Sequence, residues 1–74
     1  MINVGEYQVI LTFRVMYEDK YFFDLWISKV GEKSIREEIR YDKSKSEIET
    51  FNHDSIINEE FLLKEIVKFI KEKY

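Results

Sequence analysis

His53, Asp54 and Ser55 are the three side-chain types of a hydrolase triad, and their adjacency raises the first chemical question about this chain. A triad works because its members converge from separate segments onto one line of proton transfer, which three consecutive residues cannot do. The triplet therefore reads as a loop that ends in a helix cap. His53 is the only histidine and cysteine is absent, which removes disulfides, thiolate zinc sites and cysteine nucleophiles. A carboxylate site for Mg²⁺ or Ca²⁺ is the one metal chemistry left open. The acid pairs Glu37-Glu38, Glu47 with Glu49, and Glu59-Glu60 could do general acid–base work only in a pocket that shifts a pKa, and 74 residues leave little room for one. They read as solvated charges on strands and a helix. With only Gly5 and Gly31, no glycine-rich phosphate cradle can form. The expectation is a non-enzymatic chain with no catalytic residues, no metal and no cofactor.

Composition narrows the class further. The formal charge of -3 argues against a phosphate-backbone binder, which needs clustered lysine and arginine. Hydrophobic residues make up 45% and aromatics 16%, enough to build a core and to make disorder a poor description. No apolar run reaches the roughly 18 residues that span a bilayer, and no basic flank precedes a signal-like block. The reading is one cytoplasmic domain over residues 1–74 with no membrane association.

The elements that would position any site follow from periodicity. Residues 7–17 alternate, with Tyr7, Val9, Leu11, Phe13, Val15 and Tyr17 on one face and Gln8, Ile10, Thr12, Arg14 and Met16 on the other. Period two with β-branched and aromatic types is a strand, its odd face toward the core. Residues 21–30 continue the pattern, and a turn at 18–20 joins the two as a hairpin. Residues 1–6 read as a frayed lead-in. Residues 34–42 fit a strand with Ile35, Ile39 and Tyr41 on one face and Arg36, Glu38 and Arg40 on the other. The competing helix, with Ser34 and Glu37 as a capping box, has too narrow an apolar face. A short edge strand is expected at 47–51. A crossover at 52–57 offers Asp54, Ser55 or Asn58 as a cap. From Asn58 or Glu59 to about Lys73 a helical stripe gathers Leu62, Leu63, Ile66, Val67, Phe69, Ile70 and Tyr74, leaving Phe61 on the polar side. The predicted fold is α+β, an antiparallel three- to four-stranded sheet packed on one face by a C-terminal amphipathic helix, ββββα or βββα.

Register can be argued because a slip of one residue sends every core side chain to the wrong face. A two-residue loop at Asp19-Lys20 would set Val15 against Asp24. A three-residue loop at 18–20 instead pairs Val15 with Phe23, Phe13 with Leu25 and Leu11 with Ile27, although Lys20 lacks the glycine such loops favour. On the other face it sets Arg14 against Asp24, Thr12 against Trp26 and Met16 against Phe22. A matching turn at 31–33 pairs Leu25 with Ile39 and Phe23 with Tyr41, and brings Arg40 beside Asp24 in a row Arg14, Asp24, Arg40.

That second face is the functional expectation. In a two-layer domain the face away from the helix should be polar. Here Ile10, Met16, Phe22, Trp26 and Val30 are interleaved with Thr12, Arg14, Asp24, Ser28 and Arg40, a pattern that resembles an interface. Either the fourth strand or the crossover folds over it, or a second copy covers it, or a heterologous protein target does. The leading expectation is a small acidic protein-interaction module, homodimeric through this face, in the manner of a microbial or viral accessory or inhibitor protein. The alternative is a nucleic-acid-binding sheet, with Trp26 and Phe22 stacking on bases beside Arg14, Arg36 and Arg40.

Overall fold

Tight turns carry the chain back and forth through one antiparallel sheet, and a terminal helix then returns across it. The computed structural model describes residues 2–51 and 54–74, so His53 and Asn52, at the start of the expected crossover, lie outside the described residues. Five strands follow in order, β1 Ile2–Val4, β2 Tyr7–Tyr17, β3 Lys20–Lys29, β4 Ile35–Asp42 and β5 Glu47–Thr50, and each pairs with the next. A 3₁₀ turn at Ile56–Asn58 leads into the helix α1, Glu60–Lys73. The class is α+β, as expected.

The sheet has one strand more than the three to four predicted, because the lead-in is not frayed. It turns at Gly5 and pairs Ile2 with Val9, Asn3 with Gln8 and Val4 with Tyr7. Gly5 sits at φ 58, a left-handed conformation that glycine adopts without steric cost. Ile2 is buried at the end of the core. Three residues are too few for alternation to be read.

The hairpin register also differs from expectation. The loop is the two-residue turn Glu18-Asp19, with Tyr17 opposite Lys20 and Glu18 itself at φ 56. Near the turn this pairs odd with even residues, Val15 with Phe22 and Met16 with Tyr21. A bulge at Arg14 then absorbs one residue, and Phe13 pairs with Phe23, Leu11 with Leu25 and Val9 with Ile27. The bulge restores the parity that core burial requires, by a route other than a longer loop. Residues 34–42 are strand from Ile35 onward, but Phe23 faces Ile39 and Tyr21 faces Tyr41. The connection is the longer loop 30–34, which slides β4 two residues from the expected register while keeping the same face inward.

The core follows from that parity. Val9, Phe23, Leu25, Ile27 and Ile39 are buried on the inner face, and Leu62, Ile66 and Ile70 of α1 are buried against them. Spacing of four residues puts those three side chains on one helix stripe, and each buried Leu or Ile contributes about 1.5–3 kcal/mol. Ser55 accepts the Ile57 N–H at 3.2 Å, capping the 3₁₀ turn and seating Ile57 in the core. At the far end of α1, Tyr74 stacks on Phe13 with centroids 5.6 Å apart and meets Phe23 edge-on at 5.3 Å. Phe61, on the polar side of the stripe, lies against Tyr7 at 6.1 Å.

Candidate functional site

The outer face of the sheet is built by the residues whose neighbours along each strand point into the core. Reading across strands, Ile10, Trp26 and Arg36 form one row, and Thr12, Asp24 and Glu38 the next. Val15, Phe22, Arg40 and Glu49 form a third. Apolar side chains thus lie on both sides of a polar row.

The centre of the face is a charge cluster. Arg36 donates to Asp24 at 2.6 Å and reaches Glu38 at 3.4 Å. Arg14 projects from the bulge toward the same two acids, 3.8 Å from Asp24 and 3.4 Å from Glu38. Two guanidinium groups and two carboxylates therefore share one patch, with charges that cancel. Asp24 is the most enclosed of the four, at 24% side-chain exposure. In the next row Arg40 pairs with Glu49, and its Nε is buried with no hydrogen-bond partner among the described residues.

Around this cluster the apolar groups stay open to solvent. Trp26 is 43% exposed, Ile10 47% and Val15 52%, while Phe22 is half-buried between Val15 and Arg40. The helix and the 3₁₀ turn place their buried residues in the core on the opposite face, and β5 extends the sheet edge beside β4. Among the described residues, no element folds over the outer face.

Of the candidates read from sequence, Ile10, Thr12, Phe22, Asp24, Trp26 and Arg40 share this face, and Arg14 reaches it from the bulge. Met16 does not. Opposite Tyr21 it falls on the core side of the overhanging hairpin end, because the bulge exchanges Met16 and Val15 between the two faces. Val30 lies one residue past the end of β3, exposed at the start of the loop, its N–H donating to the Glu6 carbonyl at 3.1 Å. The row Arg14, Asp24, Arg40 is not formed, because the longer loop puts Glu38 opposite Asp24 and Arg40 opposite Phe22. Arg36 takes the place expected of Arg40. The protein-interface set lacked Val15, Arg36 and Glu38, Arg36 having entered only with the nucleic-acid alternative, and the sequence signal for Arg36 and Glu38 was their shared parity with Arg40.

At the end of the sheet, Asp42 is held by its own turn. The Ser44 hydroxyl donates to Asp42 Oδ1 at 2.6 Å and the Ser44 N–H at 3.0 Å, with Lys20 Nζ 4.0 Å from the carboxylate. The Ser44 hydroxyl, against the opposing effect of burial, keeps the Asp42 carboxyl below its ordinary value. Among the described residues no three His, Asp or Glu side chains gather as a metal site. No protein-family model, curated protein or solved structure matches this chain.

Proposed function

We propose that this chain is a non-enzymatic protein-interaction module that associates with a second copy of itself through the outer sheet face. The observation that carries the reading is the pairing of exposed Trp26, Ile10 and Val15 with a charge cluster that sums to zero. A tryptophan ringed by polar groups is the composition of an interface anchor. Balanced charge lets the face meet its own copy without net repulsion, whereas a nucleic-acid platform needs an excess of cations. Arg14, Arg36 and Arg40 each already have a carboxylate within reach, so none stands ready for a phosphate. The biological setting this suits is a small accessory or inhibitor protein acting by surface occupancy.

Sedimentation velocity over a range of concentrations tests the proposal. The parent protein is expected to run as a dimer, and Trp26→Ser to weaken association by about 30-fold, since truncating a central anchor costs about 2 kcal/mol. A parent that stays monomeric at every concentration, or a Trp26→Ser protein of unchanged dimer mass, overturns it. Salt-sensitive retention of a labelled single-stranded oligothymidine by the parent would favour the nucleic-acid reading instead.

A further inference from the structure

The two edges of the sheet are finished differently. β1 is three residues long and its Ile2 is seated in the core. Among the described residues β5 pairs with β4 on one side only, and on the other it borders an open groove of about 390 Å³ between the strand and α1. Ile48, Leu63 and Val67 give that groove an apolar floor, and Ser46, Glu47, Glu60 and Lys64 form its rim. The Thr50 hydroxyl donates to Asn58 Oδ1 at 2.7 Å where the strand ends.

An edge strand presents backbone N–H and C=O groups to any chain that can pair with them, and proteins usually blunt such edges with lysine, proline or a bulge. β5, with the sequence Glu-Ile-Glu-Thr, has no lysine, proline or bulge, and its four-residue length and two glutamates blunt it against a copy of its own acidic edge but not against a basic strand. We propose that the β5 edge receives an extended segment of another protein, which adds as a sixth strand and carries basic and apolar residues in alternation. Ile48 faces inward, so the segment's apolar side chains would enter the groove over Leu63 and Val67. Glu47 and Glu49 face outward, so the intervening side chains would lie beside them.

The charge pattern selects the sign of those side chains. In the row Lys20, Asp42, Glu47 the neighbour of Glu47 on the β4 side is another carboxylate, so a cation on its open side would set opposite charges side by side and relieve that like-charge contact. In the adjoining row Arg40 flanks Glu49 on one side, and a second cation on the open side would continue the same order. This chain contains no tripeptide with an apolar residue between two basic ones, so its own sequence does not supply the segment. The segment's basic side chains would lie beside Glu49 at the margin of the outer face, its apolar ones would enter the groove on the other face, and the occupant is a different protein.

The test is fluorescence anisotropy with a labelled, end-capped peptide of alternating lysine and valine. The parent protein is expected to bind it, and Glu47→Lys, which leaves the core untouched, to weaken binding by about fivefold, the equivalent of a cross-strand charge pair of about 1 kcal/mol. The same peptide N-methylated at alternate backbone positions, and an alternating glutamate–valine peptide, are expected not to bind. Absence of binding by the lysine–valine peptide, equal binding of the N-methylated form, or an unchanged affinity for Glu47→Lys overturns the proposal.

Discussion

The two faces of β3 differ in everything but their backbone. Tyr21, Phe23, Leu25 and Ile27 point inward and are buried, with Phe23 and Leu25 fully so. Phe22, Asp24, Trp26 and Ser28 point outward, and there aromatic rings alternate with a polar row instead of meeting one another. Inside, each ring is locked by others. Phe23 meets Phe13, Tyr21 and Tyr74 edge-on, with centroids between 5.3 Å and 6.5 Å. Outside, Trp26 has Ile10 and Arg36 as lateral neighbours and solvent above. One strand can therefore hold the fold with one face while the other is left for association, because side chains of alternate parity share no packing partners.

Truncation on each face should separate the two roles. Phe23→Ala is expected to lower the unfolding free energy by about 3–5 kcal/mol, read by urea denaturation, because it opens a cavity in a fully buried site. Trp26→Ser is expected to change monomer stability by less than about 1 kcal/mol while weakening self-association as described. A Trp26→Ser protein as unstable as Phe23→Ala would erase the distinction.

The turn that sets the two faces in register offers a gain of stability. Glu18 holds a left-handed φ of 56 that costs a side chain with a Cβ about 1 kcal/mol, so Glu18→Gly is expected to raise stability by up to that amount in the same titration. Deleting Arg14 asks whether the bulge is itself required. Removal of that one residue leaves Phe13 opposite Phe23 and Val15 opposite Phe22 in a regular ladder, so apart from Arg14 itself every β2 side chain keeps its face. The deletion should fold with the same cross-strand contacts, seen as nuclear Overhauser effects between those pairs, and lose less than about 1 kcal/mol with the exposed ion pairs of Arg14. Loss of the Phe13–Phe23 contact would mean that the bulge's twist, beyond its parity, holds the sheet.

The smallest effect concerns pH. The folded Asp42 carboxyl titrates below its unfolded value, so its stabilisation is present above about pH 3.9 and is lost as the pH falls through the lower folded value. Ser44→Ala removes the hydroxyl that does most to lower it. Acid titration of stability, followed by far-ultraviolet circular dichroism, should then show a shallower loss in that window and no change near neutrality.

How much of this was legible depended on how locally each feature is decided. The helix was read nearly to the residue, since the stripe Leu62, Ile66, Ile70 lies on one face through spacing alone. The parities of β3 and β4 were equally legible, and with them the apolar outer face. The pairings were not. The Glu18 turn, the Arg14 bulge and the 30–34 loop each shift register by one or two residues, and no single local preference distinguishes them from a three-residue loop. Val15 and Met16 changed faces, and Arg36 replaced Arg40 beside Asp24, through those shifts alone.

The sequence by itself determined which side chains travel together along β3, β4 and α1, because alternation along a regular strand and recurrence along a helix are properties of the backbone, whereas in β2 the Arg14 bulge broke the alternation. Only the tertiary structure decided which strands' residues meet. A strained turn costs about 1 kcal/mol and a bulge leaves one residue out of the ladder, and both are accepted when they seat Val9, Phe23, Leu25 and Ile39 together beneath α1. The charge cluster around Asp24 and the open edge of β5 are consequences of that packing.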